Sequence, residues 1–63
     1  MSKLFTPKDL MARWSVTDNT LRRWRMLGTG PDYIKLGPGK GSEVRYRLED
    51  IERFEKDNKI EQM

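Results

Sequence analysis

Between Gly28 and Asp32 the chain reads Gly-Thr-Gly-Pro-Asp, a segment that no α-helix can cross. Its glycines leave the backbone free to enter left-handed conformations. Pro31 lacks an N–H and pushes the residue before it out of the helical region. The break lies near the middle of the 63 residues and separates two kinds of patterning. Helical spacing precedes it. Two short β-like runs and one more helical stretch follow it.

Before the break the spacing predicts two helices. The first runs from Pro7 to Trp14, with Thr6 as N-cap, Pro7 at the first helical position and Asp9 near the positive helix end. Leu10, Met11 and Trp14 fall on one face, and Phe5 is placed to pack back across the cap as a hydrophobic staple. After a tight connection at Ser15-Val16, Thr17 caps a second helix that carries Asp18 in its first turn and stops at Gly28. Leu21, Trp24 and Leu27 share its apolar face. Asn19, Arg22, Arg23 and Met26 share the opposite one, at i, i+3, i+4 and i+7.

After the break, Tyr33 to Leu36 and Val44 to Arg47 read as the strands of a β-hairpin. They flank Gly37-Pro38-Gly39-Lys40-Gly41-Ser42-Glu43, a glycine-rich turn with a lysine at its tip. From Leu48 to about Lys59 a third helix is expected, with Leu48, Ile51 and Phe54 on its apolar side. Glu49/Arg53, Glu52/Lys56 and Glu55/Lys59 stand at i, i+4 in the favourable orientation. The expected fold is mostly α with a small β-hairpin, in the order α-α-β-β-α, as a single domain over residues 1–63.

Composition narrows the chemistry. The chain has no cysteine and no histidine, which removes disulfides, thiol nucleophiles and the usual zinc ligands. The core must therefore be built from Trp14, Trp24, Phe5, Phe54, Tyr33, Tyr46 and the aliphatic residues. At this length net stability is expected to be about 3–9 kcal/mol. No apolar run approaches the roughly 18 residues of a membrane span, so a cytoplasmic protein with no membrane partner is expected. The net charge of +3 is unevenly laid out: residues 1–47 carry ten Lys/Arg and four Asp/Glu, residues 48–63 three and six. A basic body with an acidic end points to a polyanion as partner for the body.

Two helices joined by a short turn form a helix-turn-helix unit, and a following hairpin makes it winged. The second helix of such a unit enters the DNA major groove. Asn19 suits bidentate pairing with adenine, and Arg22 or Arg23 with guanine. Asp18 and Thr20 are counted with them on the groove side, Asp18 first as support for the helix start and Thr20 as a phosphate contact, and Met26 suits a thymine methyl. Thr17 and Arg25 suit backbone contact or helix support. On the wing, Lys40 and Ser42 are placed to meet phosphate or the minor groove, with Lys35, Arg45 and Arg47 behind them. Plainer readings stand beside these: a solvated basic helix face, a first-turn Asn19 without a ligand, and strand charges that discourage edge-to-edge pairing. The glycine turn lacks the spacing and following helix of a nucleotide-binding P-loop.

Residues 4–54 resemble the excisionase and AlpA-type group of small helix-turn-helix domains, relatives of the MerR winged helices. The resemblance is carried by Leu4-Phe5-Thr6-Pro7-Lys8-Asp9-Leu10 and by Trp14-Ser15-Val16-Thr17-Asp18-Asn19-Thr20-Leu21-Arg22-Arg23-Trp24. It continues in Gly30-Pro31-Asp32-Tyr33-Ile34-Lys35-Leu36-Gly37 and in Val44-Arg45-Tyr46-Arg47-Leu48-Glu49-Asp50-Ile51. It implies that the second helix reads the major groove, that the hairpin is the wing, and that the chain belongs to a phage, plasmid or genomic island. Members favour excision over integration by bending attachment-site DNA, or regulate transcription at promoters. Two features depart from the pattern: Met11 stands where a small residue is common, and the loop from Pro38 to Glu43 is long. The long dimerisation helix and ligand domain of MerR proteins find no counterpart, so no small-molecule effector is expected.

The expected function is sequence-specific binding of double-stranded DNA as a recombination directionality factor. A small transcriptional regulator and a protein-interaction module of anti-repressor type are the alternatives. No cofactor, metal or catalytic residue is expected, since the carboxylates have basic partners and no nucleophile–base pair exists. Further copies on repeated sites and an integrase are the protein partners the resemblance suggests.

Overall fold

The computed structural model describes residues 3–38 and 43–60. Its elements are β1 (Leu4–Phe5), α1 (Pro7–Trp14), α2 (Asp18–Leu27), β2 (Ile34–Leu36), β3 (Glu43–Arg47) and α3 (Leu48–Asp57). The helices and the hairpin follow the expected order. β1 is additional. The predicted hairpin is in fact part of a three-stranded antiparallel sheet, order β1-β3-β2, because Leu4 and Phe5 pair with Arg47 and Tyr46 along the free edge of β3. The backbone N–H of Leu48 extends this tie by donating to the carbonyl of Lys3 at 3.2 Å.

Each helix starts and stops for a local reason. Thr6 caps α1 by accepting from the Asp9 N–H at 3.1 Å, and the Asp9 carboxylate accepts from the Thr6 N–H at 2.9 Å. This reciprocal capping box satisfies two donors that a helix start leaves open, and it holds the Asp9 carboxyl below its ordinary value. α1 ends at Ser15, whose left-handed backbone (φ 55°) turns the chain within three residues into the next N-cap, Thr17. α2 ends at Gly28 (φ 69°), where the N–H groups of Gly28 and Thr29 both return to the Trp24 carbonyl.

The core draws one residue from each main element: Leu10 of α1, Leu21 of α2, Tyr46 of β3 and Ile51 of α3, all at most 1% exposed. Phe5, Met11, Trp14, Val16, Trp24 and Val44 pack around them. Cutting Leu10, Leu21 or Ile51 to alanine is expected to cost about 2–5 kcal/mol, a large share of the whole net stability. Two predicted core residues lie elsewhere. Leu27, placed by periodicity with Leu21 and Trp24 but the last residue of α2, is 59% exposed, and Tyr33, just ahead of β2, is 40% exposed.

Candidate nucleic-acid interface

The outward face of α2 is built by what its inward face buries. Leu21 is fully buried and Trp24 half-buried, so the 3.6-residue repeat turns Asn19, Arg22, Arg23 and Met26 to solvent together, and all four are exposed. Met26 is 84% exposed, an unusual position for a large apolar side chain. Asp18 in the first turn ion-pairs with Arg22 across one helical turn (Oδ2 to Nε, 2.8 Å). No described residue pairs with Arg23 or with the Asn19 side chain.

Thr17 and Thr20 serve the helix start. The Thr17 hydroxyl accepts from the Thr20 N–H at 3.2 Å, and the two hydroxyls lie 3.1 Å apart. Thr20 is half-buried and stands off the Asn19–Met26 face. Arg25 points away from that face as well. Its Nη1 donates to the Tyr46 hydroxyl at 2.8 Å, and its guanidinium lies 6.0 Å from the Tyr33 ring centre. Arg25 is therefore a strut between α2 and the sheet, closer to helix support than to an outward backbone contact.

On the strands, alternation turns Arg45 and Arg47 to one side of β3 and buries Tyr46 on the other. Both arginines already hold carboxylates. Arg45 donates to the Val44 carbonyl at 2.8 Å and to Glu43 at 3.1 Å. Arg47 grips Asp50 with Nε at 2.8 Å and Nη2 at 3.2 Å, and Glu49 lies 3.7 Å away. The Asp50 carboxylate, by hydrogen bonding and then by charge, raises the pKa of Arg47. Asp50 is itself 4% exposed at the start of α3, so the pair holds the strand to the helix. Lys35 is exposed on β2, opposite Val44. Lys40 and Ser42 lie outside the described residues.

The sites expected from sequence thus divide. Asn19, Arg22, Arg23 and Met26 come together on one open face. Arg25 and Arg47 are engaged in joining elements, and Arg45 is held within β3 by Glu43 and the Val44 carbonyl. No protein-family model, curated protein or solved structure matches the chain.

Sequence reasoning missed two residues that shape this region. Asp50 was counted only among the acidic residues of the third helix, and Tyr46 only as core, without its role as acceptor for Arg25. The signal for the first was present: Asp50 stands three residues after Arg47, at the third position of a helix. That spacing lets an acid reach back to the residue before the helix. Glu55, read as a surface partner of Lys59, instead receives Arg13 Nε at 2.7 Å and the Trp14 indole N–H at 2.6 Å. Among the described residues, no cluster of acidic side chains could hold a metal ion, and no helix is long and apolar enough to cross a membrane.

Proposed function

We propose that this chain is a winged helix-turn-helix protein that binds double-stranded DNA, with α2 in the major groove and the β2–β3 hairpin as the wing. The observation that carries the reading is the open face of α2. Asn19, Arg22, Arg23 and Met26 supply an amide, two guanidiniums and an apolar tip on one exposed helical stripe, behind which the helix is anchored by Leu21, Trp24 and Arg25. A major groove about 12 Å wide accepts one helix, and these groups match adenine, guanine and the thymine methyl. Asp18 fits the same picture as a carboxylate that holds Arg22, although unpaired it would repel phosphate.

The resemblance to excisionases and AlpA-type regulators directs the proposal further, to recombination directionality on a mobile element. A single module of this size covers roughly 600–1,000 Å² of protein surface on DNA. Specificity would then come from several copies on repeated sites, or from an integrase alongside. The same α2 contacts serve a promoter-bound regulator, so the location of the bound sites separates the two roles.

The test is a footprint of the purified protein on DNA from its own genomic neighbourhood, at low and at physiological salt. Protection over repeated motifs beside an attachment site is the expected result. Protection confined to a promoter would make it a regulator. Folded protein that protects nothing at low salt would overturn the DNA-binding reading and favour a protein-interaction module.

A further inference from the structure

Trp14, Trp24 and Phe54 meet with ring centres 5.2 to 6.1 Å apart, where the α1–α2 turn approaches the end of α3. Trp14 and Trp24 pack against the core on one side. On the other they form, with Phe54 and Val16, the floor of an open groove of about 790 Å³. All four floor residues are only half-buried. The one polar atom of Trp14 is already satisfied, since its indole N–H donates to Glu55, which is itself clasped by Arg13. The floor therefore asks only for apolar contact. The charge of Glu55 is turned to Arg13, and the other charged residues on the rim are Lys56 and Lys59.

From this arrangement we infer that the groove docks an acidic segment of a partner protein, anchored by one or two large apolar side chains laid on Trp14, Trp24 and Phe54. Burying such an anchor against three aromatic rings supplies the affinity, and Lys56 and Lys59 select carboxylates at its flanks. A second copy presenting its α2 fits less well. Its most exposed apolar residues there, Met26 and Leu27, are accompanied by the exposed Arg22 and Arg23, which would face Lys56 and Lys59 with like charge. Helical periodicity places Trp24 on the far side of α2 from Asn19, Arg22 and Met26. The groove and the outward face of α2 are thus separate surfaces, and the inference stands apart from the DNA-binding proposal.

Two synthetic 16-residue peptides test it. Both carry Leu, Phe and Leu at i, i+3 and i+7, one in a glutamate-rich background and the other in a lysine-rich one. The readout is the indole N–H signals of Trp14 and Trp24 in a nitrogen-15 NMR titration of the full chain. Saturable shifts with the acidic peptide, and at least about tenfold weaker binding of the basic one, are expected. The exposed double substitution Lys56→Glu/Lys59→Glu should reverse that preference while leaving the remaining spectrum in place. Equal response to both peptides, or no shift with either, would overturn the inference. So would indole signals that move instead on addition of a 20-base-pair duplex, or that change with protein concentration alone. The first would assign the groove to nucleic acid, the second to a second copy.

Discussion

Arg25 Nη1 donates to the hydroxyl of Tyr46 at 2.8 Å, joining the inward side of α2 to the central strand of the sheet. Tyr46 is 1% exposed, and its ring lies 6.2 Å from that of Tyr33, over which the Arg25 guanidinium also sits. A charged donor thus reaches into the core boundary and finds a neutral acceptor and an aromatic face. The contact sets how α2 is carried relative to the β2–β3 hairpin, the two elements that must address one DNA duplex together if the functional proposal holds.

Replacing Arg25 with methionine keeps much of the apolar stem and removes the donor. A hydrogen bond to a charged group is worth about 1.5–3 kcal/mol, so urea unfolding of Arg25→Met should show a loss of that size. Tyr46→Phe should lose a similar amount, and the double variant less than the sum. Arg23→Ala, on the open face, should stay within about 0.5 kcal/mol of the parent. If Arg25→Met is as stable as Arg23→Ala, the strut has no energetic role.

The clasp of Glu55 predicts a pH dependence. Hydrogen bonds from Arg13 and then from Trp14 lower the Glu55 pKa from 4.5 to about 2. A carboxyl depressed in the folded state adds stability above its unfolded pKa and loses it as pH falls through the folded value. Parent protein should therefore exceed Glu55→Gln in stability at pH 7, and the gap should close between about pH 4.5 and about pH 2. Denaturant midpoints of both proteins at pH 7, 4.5 and 2 give the answer. A gap unchanged at pH 2 would contradict the clasp.

Gly30 is required for a steric reason. A Cβ built there would lie 2.8 Å from the Cβ of Trp24, an atom fixed by the α2 backbone and unable to swing aside. Gly30→Ala should cost about 1–3 kcal/mol through that overlap. Gly28→Ala meets no neighbour and suffers only from its left-handed backbone, at about 1 kcal/mol. Thermal melts should rank parent, then Gly28→Ala, then Gly30→Ala. The reverse order would show that the loop moves away from Trp24 at little cost.

On DNA, about five phosphate contacts would make log affinity fall against log salt with a slope of about −4 to −5. Arg22→Ala and Arg23→Ala should each cost about 1–3 kcal/mol and relax base preference at one position. Asp18→Asn should blur the preference that Arg22 sets, because the guanidinium loses the ion pair that positions it. Affinity measured by fluorescence anisotropy across a salt series decides this, and salt-independent binding would rule out the scheme.

Most of the secondary structure was legible in the residues, because its causes are local. Thr6 and Thr17 announce helix starts, Gly28 announces a stop, and Gly30-Pro31 forbids continuation. The spacing of Leu21 and Trp24 placed Asn19, Arg22, Arg23 and Met26 on a common open face, since a helix repeat fixes relative direction without any knowledge of neighbours. What the residues could not state is which long side chains would be used up in joining elements. Arg23 and Arg25 look alike in sequence, yet one is open to solvent and the other is spent on Tyr46, twenty-one positions away. Arg13 is likewise drawn to Glu55 across forty-two positions, whereas Arg45 and Arg47 meet Glu43 and Asp50 only two and three positions away. β1 was hidden for the same reason. Two residues carry no strand period of their own, and Leu4-Phe5 becomes a strand only because the edge of β3 comes to lie beside it. Local backbone chemistry determined the elements, whereas their packing decided which charges remained for a partner. That second decision depends on distances between residues far apart along the chain, and those exist only once the core has closed.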